Sequence, residues 1–270
     1  MKRFSAFLLC IVMIFGLLVV GCGTNKPAQS AQGDGAADIK AIKDRGALKV
    51  GVKVDVPKFG FKDPQTNKID GLEIDIARAV AKKILGDPTK VDVQGVTAKT
   101  RGPLLDNGEI DLVIATFTIT DERKQSYNFS EPYFKDGVAM MVKKSSGIQS
   151  VKDMNGKKIG VAQSATSRKA LQEEADKAGA KVQFLEFGTY PEIKTALDSG
   201  RVDVFSVDGS ILAGYLDDST TILNDRFAPQ EYGVASKKSN TALAKAVDEV
   251  IAEMKQNGEL DKLIQKWGIK

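Results

Sequence analysis

From residue 39 onward the apolar positions fall into short blocks that switch between two periods. Residues 47–52 read as a strand, after which Leu72, Ile76, Ala79, Val80 and Ile84 recur at helical spacing. Residues 91–96 and 111–115 read as further strands, with a short helix around Pro103, Leu104 and Leu105 between them. After Pro132 the alternation restarts, with strands over 138–142, 158–162, 182–187 and 203–207 and helices over 167–178 and 191–199. Leu243, Val247, Ile251 and Met254 line one face of a last helix. Strands alternating with helices predict an α/β fold of mostly parallel sheets flanked by helices.

One internal echo refines this. The run Leu105-Asp-Asn-Gly108-Glu-Ile-Asp111-Leu112 resembles Leu197-Asp-Ser-Gly200-Arg-Val-Asp203-Val204. Each reads as a helix end closed by glycine, a tight turn and a buried strand. Two copies this far apart suggest two similar lobes, each with its own sheet. Polar residues follow both strands: Thr116, Phe117 and Thr118 in one copy, Asp208, Gly209 and Ser210 in the other. In open α/β sheets, ligands bind beyond the carboxyl ends of strands, so the two sets are expected to face each other across a cleft.

The first residues form a separate unit. Lys2 and Arg3 precede an apolar stretch over 4–20, followed by Gly21, Cys22 and Gly23. This resembles a secretory signal peptide over 1–21, and Val19-Val20-Gly21-Cys22 resembles the bacterial lipoprotein box, which implies cleavage before a diacylated Cys22. An ordinary signal peptide with an incidental cysteine is the alternative. Residues 22–38 then read as a flexible tether rich in Gly, Ala, Gln and Asp. Loss of Lys2 and Arg3 lowers the formal charge from +4 to about +2, which, with carboxylates interleaved among the cations, speaks against a nucleic-acid surface.

The sequence has no histidine, which excludes His-based triads, His-liganded metals and His switches. Cleavage would leave Cys22 as the sole cysteine, so no thiolate metal site and no cofactor is expected. Gly156-Lys157-Lys158 does not make a P-loop, and the acidic residues from Asp63 to Asp70 fit a turn between strands better than a calcium loop.

A free amino acid needs a bidentate cation for its α-carboxylate and an acidic acceptor for its ammonium. Ala115-Thr-Phe-Thr-Ile-Thr-Asp-Glu-Arg123 followed by Asn128-Phe-Ser-Glu-Pro-Tyr133 supplies such a cation after a strand. This segment is similar to the ITxxR…FSxPY signature of the family 3 solute-binding proteins, the polar amino-acid-binding proteins of ABC importers. The resemblance extends over nearly all of the chain beyond Cys22, through Gly71-Leu-Glu-Ile-Asp75, Ile159-Gly-Val-Ala-Gln163, Glu231-Tyr-Gly233 and Lys266-Trp-Gly268. It implies a two-lobed type II periplasmic-binding-protein fold, with lobe 1 over 39–132 and 237–270, lobe 2 over 138–231, and hinges at 133–137 and 232–236. It also implies a monomeric binding protein rather than an enzyme, partnered by an importer permease and anchored to the outer face of a membrane or in the periplasm through Cys22.

Carried across by position, Arg123 clamps the α-carboxylate with Thr118 and Thr166, and Asp208 holds the ammonium beside Thr116. Taken singly, Arg123 reads equally as a surface residue, Asp208 as a helix cap, and Thr166 as an N-cap. Lys53 and Arg101, with no aromatic residue at Ala98, resemble the aspartate/glutamate-binding branch, although glutamine-binding relatives share the Lys-Thr-Arg run at 99–101. The expected ligand is therefore aspartate or glutamate, with glutamine as the alternative; a sensory binding module and a dehydratase-type enzyme are remoter ones. Tyr190 is expected to wall the pocket or to pack in the core.

Overall fold

The computed structural model describes residues 34–269. The predicted signal peptide, Cys22 and most of the 22–38 tether lie outside them. The first helix, Asp34–Arg45, begins inside the expected tether and carries the chain to the first strand. No helix among the described residues is long and apolar enough to cross a membrane.

Two sheets organise the chain. The first runs in the order Val91–Gly95, Leu48–Val52, Leu112–Ile114, Ala235–Lys237, Tyr127–Phe129. Leu48–Val52 is parallel to both of its neighbours, whereas Ala235–Lys237 is antiparallel to both of its own. The second runs Gln183–Phe187, Lys158–Ala162, Val204–Asp208, Phe134–Lys143, Thr220–Ile222, with Phe227–Tyr232 also paired to Phe134–Lys143. Its first three strands are parallel, and every pairing of Phe134–Lys143 is antiparallel. The sheets are therefore more mixed than the alternation alone implies. The reversed strands lie where the chain passes between sheets rather than within βαβ units.

Those passages lie side by side. Tyr232 pairs with Phe134, and Tyr133 N–H donates to Tyr232 O at 2.8 Å. The chain leaves the first sheet after Phe129 and returns to it at Ala235.

The internal echo is structural as well. Gly108 and Gly200 both take the left-handed conformation, at φ 75° and 76°. Asp111 then accepts from Lys49 N–H and donates its own N–H to Lys49 O, both at 2.8 Å. Asp203 makes the same reciprocal pair with Lys158, also at 2.8 Å. Each aspartate fixes the entry of one buried strand against its parallel neighbour, satisfying backbone groups that the turn would otherwise leave open.

A small third sheet, Asp55–Val56, Gly60–Lys62 and Ile69–Asp70, follows the first strand, and the Asp63–Asn67 stretch is its connecting turn. It seats against the start of helix Leu72–Leu85 through Gly71. At φ 147° any Cβ there would sit 2.1 Å from Phe59 O, so only glycine fits. The inward face of that helix buries Ile76, Ala77, Val80 and Ile84, and in its first turn also buries a carboxylate, Glu73.

Candidate functional site

The carboxyl ends of Leu112–Ile114 and Val204–Asp208 carry the polar residues of the cleft. In the first sheet the chain turns sharply at Thr116, a non-glycine residue with φ of 43°. A β-branched residue in that region is strained, at a cost of about 1–3 kcal/mol. Glu73 supplies the restraint: its Oε1 accepts from Thr116 N–H at 2.5 Å and from the Tyr133 hydroxyl at 2.6 Å. Glu73 is fully buried, and burial pushes its carboxyl up to about 7. Its Oε2 and the Thr116 hydroxyl have no hydrogen-bond partner.

Two guanidinium groups stack on Phe117, just beyond the turn. Arg101 lies 4.2 Å from the ring centroid and Arg123 4.5 Å. Arg101, buried at the start of helix Arg101–Asn107, donates to Ala115 O at 2.7 Å and to Thr116 O at 3.2 Å. Arg123 stands in helix Asp121–Ser126, whose cap Thr120 accepts from Arg123 N–H. One Arg123 nitrogen donates to Thr118 O at 2.8 Å; the other crosses to Ser164 O on the second sheet's side at 3.2 Å. Burial, reinforced by the charge of Arg101, lowers the Arg123 guanidinium to about 9.

Asp208 ends the second sheet's central strand and sits at the start of helix Gly209–Ala213, yet makes no capping bond to it. Its Oδ2 instead accepts from the Tyr232 hydroxyl at 2.5 Å. Burial pushes this carboxyl up to about 7, with Arg101 and Arg123 opposing. Thr166 also makes no helix cap. Its hydroxyl and that of Thr118 both donate to Gln230 Oε1 at 2.7 Å, so one acceptor on a crossing strand ties the two sides together.

Lys53 is 2% exposed. Its Nζ lies 2.9 Å from Asp55 Oδ1 and 4.6 Å from the Tyr190 ring centroid. Burial lowers its ammonium, and the neighbouring Asp55 opposes that shift. Asp55 also takes the Tyr215 hydroxyl on its carbonyl and Tyr190 N–H on Oδ2 at 3.4 Å, both from the second sheet's side. Among the described residues no group of three or more His, Cys, Asp or Glu is arranged to hold a metal.

These contacts gather buried, opposed charges between two α/β sheets. Residues 48–270 match the bacterial extracellular solute-binding proteins, family 3. The chain belongs to that family. It is thus an extracytoplasmic solute-binding protein and not an enzyme. It is 39% identical over 266 residues to the ABC transporter glutamine-binding protein GlnH of Bacillus subtilis (strain 168), covering 97% of this chain and 96% of that one. It is 41% identical over 246 residues to a glutamine-binding protein of Geobacillus stearothermophilus, covering 89% and 92%. Among solved structures, an ancestral arginine-binding protein bound to glutamine matches with a TM-score of 0.73 at 37% identity, over 83% of this chain and 98% of that one.

Of the eight residues picked out in the sequence, Asp208, Thr118, Thr116, Arg101, Lys53 and Tyr190 are buried and Arg123 and Thr166 half-buried, with Arg123 bonded to Thr118 O, Thr118 and Thr166 to Gln230, and Lys53 over Tyr190. Lys53 and Arg101 are neither solvated nor free; one is ion-paired and the other holds backbone carbonyls. Tyr190 is buried core and cation partner at once. Sequence reasoning missed Glu73, Asp55, Gln230 and Tyr232. For Glu73 a cue was present: it occupies the same helical face as Ile76, Ala77 and Val80, where an unpaired carboxylate is costly.

Proposed function

We propose that this solute-binding protein of an ABC amino-acid transporter captures free L-glutamine between its two lobes. Arg123 takes the α-carboxylate, with Thr118 and Thr166 beside it, and Asp208 takes the ammonium near Thr116. The observation that carries the choice of ligand is the Lys53–Asp55 ion pair, which leaves the Lys53 ammonium already answered. A zwitterion with a neutral side chain leaves that pair undisturbed. An acidic side chain adds a buried negative charge whose desolvation costs several kcal/mol unless a free cation answers it. An arginine side chain adds a buried cation beside Lys53 and Arg101. The glutamine-binding relatives support the same reading.

Glutamate is the second reading, favoured by one observation: Arg101 Nε is buried without a hydrogen-bond partner. Calorimetric titration with glutamine, glutamate, aspartate and arginine separates these ligands. Glutamine should bind at least tenfold tighter than the rest; tighter binding of glutamate or arginine overturns the assignment.

Segments 133–137 and 232–236 act as the hinges in this account, with lobe 1 over 39–132 and 237–270 and lobe 2 over 138–231. Arg123–Ser164, Tyr215–Asp55 and the shared Gln230 acceptor favour the closed state. Closure then presents both lobes to the permease. Residues 1–21 direct export, and a diacylated Cys22 anchors the protein; Cys22→Ala should release it into the medium or the soluble periplasm.

A further inference from the structure

Strand Phe134–Lys143 runs past the end of its antiparallel partner Val204–Asp208. Asp208 is paired with Val138, so the same register carries Asp136 opposite Ser210, in the first turn of helix Gly209–Ala213. There Asp136 Oδ2 accepts from Ser210 N–H at 2.9 Å and from the Ser210 hydroxyl, while its Oδ1 accepts from Gly137 N–H at 2.7 Å. Ser210 N–H belongs to the second residue of the helix, a donor that an N-cap side chain ordinarily takes. Asp208 stands at that N-cap with extended backbone, φ −60° and ψ 142°, and aspartate is among the best capping residues, yet it makes no such bond. The cap comes from another strand instead. Arg226 lies against Gly209, where a Cβ would come within 2.9 Å of its Nε, but it spends its Nη1 on the Leu223 and Asp225 carbonyls.

We infer that Asp136 is a positioning residue for ligand binding: by capping helix Gly209–Ala213 from the neighbouring strand, it keeps the Asp208 carboxylate off its own helix and free for the ligand's ammonium. The inference rests on the reading of Asp208 as the ammonium acceptor and deepens it. Without Asp136, Ser210 N–H is an open donor two residues beyond Asp208, and an N-cap aspartate reaches that donor by side-chain rotation alone. With Ser210 answered, Asp208 Oδ2 is left to the Tyr232 hydroxyl, at 2.5 Å. Asp136 and Tyr232 stand on two strands paired with each other, Phe134–Lys143 and Phe227–Tyr232, where the chain passes between the sheets. The direction of the ammonium acceptor is therefore set from both passages at once. Burial first, and then the Asp136 charge, raise the Asp208 carboxyl, against the Tyr232 hydroxyl, Arg101 and Arg123. Tyr190 is the remaining titratable group that faces it.

The test is calorimetric titration with L-glutamine between about pH 5 and about pH 8. Asp136→Ala leaves Ser210 N–H to Asp208 and should weaken glutamine by about tenfold or more, whereas Asp136→Asn keeps an oxygen on that donor and should bind nearer to the wild type. In Asp136→Asn the pH at which affinity falls off should also move down, because an anion facing Asp208 is gone. That shift is readable even where the alanine variant folds poorly. Combined with Asp208→Asn, Asp136→Ala should cost nothing further, since both act through one carboxylate. A residue that merely supports its strand would add its own loss to that of Asp208→Asn and leave the pH profile where it is. Either result overturns the inference while sparing Asp208 as the ammonium acceptor. Binding by Asp208→Asn as tight as the wild type overturns both.

Discussion

Arg123 reaches across the cleft to Ser164, donating one guanidinium nitrogen to its carbonyl at 3.2 Å while the other stays on Thr118 O. The same fork that suits an α-carboxylate thus also joins the two lobes. Arg123→Ala should weaken every amino acid by at least about 2 kcal/mol without changing their ranking, since the head group is common to all. Arg123→Lys should recover little, because a single ammonium cannot replace the planar fork. Titration calorimetry of both variants checks this; retained binding in the alanine variant contradicts it.

Asp208 gives a pH dependence with a defined sign. Burial raises its carboxyl to about 7 from an ordinary 3.8, so the folded, ligand-free protein holds the proton up to about pH 7. Its contribution to stability is therefore lost as pH climbs from about 4 to about 7. Ligand affinity should run the other way, rising through the same window, because an ammonium needs the ionised carboxylate. Asp208→Asn should flatten the affinity slope, reduce the stability slope to the part that Glu73 leaves, and weaken binding by roughly 100-fold. Thermal melts and titrations between about pH 5 and about pH 7.5 read these trends; an unchanged slope in the variant counts against them.

Glu73 is expected to act on the backbone. Glu73→Ala strips the acceptor from Thr116 N–H and the Tyr133 hydroxyl, both buried, and should cost about 2–5 kcal/mol. Glu73→Gln keeps an oxygen acceptor and should cost much less. Urea unfolding at neutral pH separates the two; equal losses would mean that the acceptor is not what holds the Thr116 turn.

How much of this was legible in the sequence depends on the range of the interaction. Leu48–Val52 and Val204–Asp208 were readable because each is a compact buried run whose own composition marks it. Phe227–Tyr232 and Ala235–Lys237 were not, because antiparallel partners far along the chain define them, as Ser236 does with Asn128, 108 residues away. The site divides in the same way. Arg123, Thr118, Thr166 and Asp208 stand at strand ends and helix starts, where a motif marks them as ligand candidates. Asp55 and Gln230 acquire meaning only when the second lobe packs against them. For Lys53 and Arg101 the sequence identified the positions but not the partners, and those partners, Asp55 and the Ala115 and Thr116 carbonyls, move the ligand reading from an acid towards an amide.

A crystal structure of the protein grown with L-glutamine tests the central claim most directly. The α-carboxylate is expected on the Arg123 fork and the ammonium on Asp208, with the lobes closed. A ligand whose head group lies against Lys53 and Asp55 and whose side chain points to Arg123, or one bound outside this chamber, would contradict it.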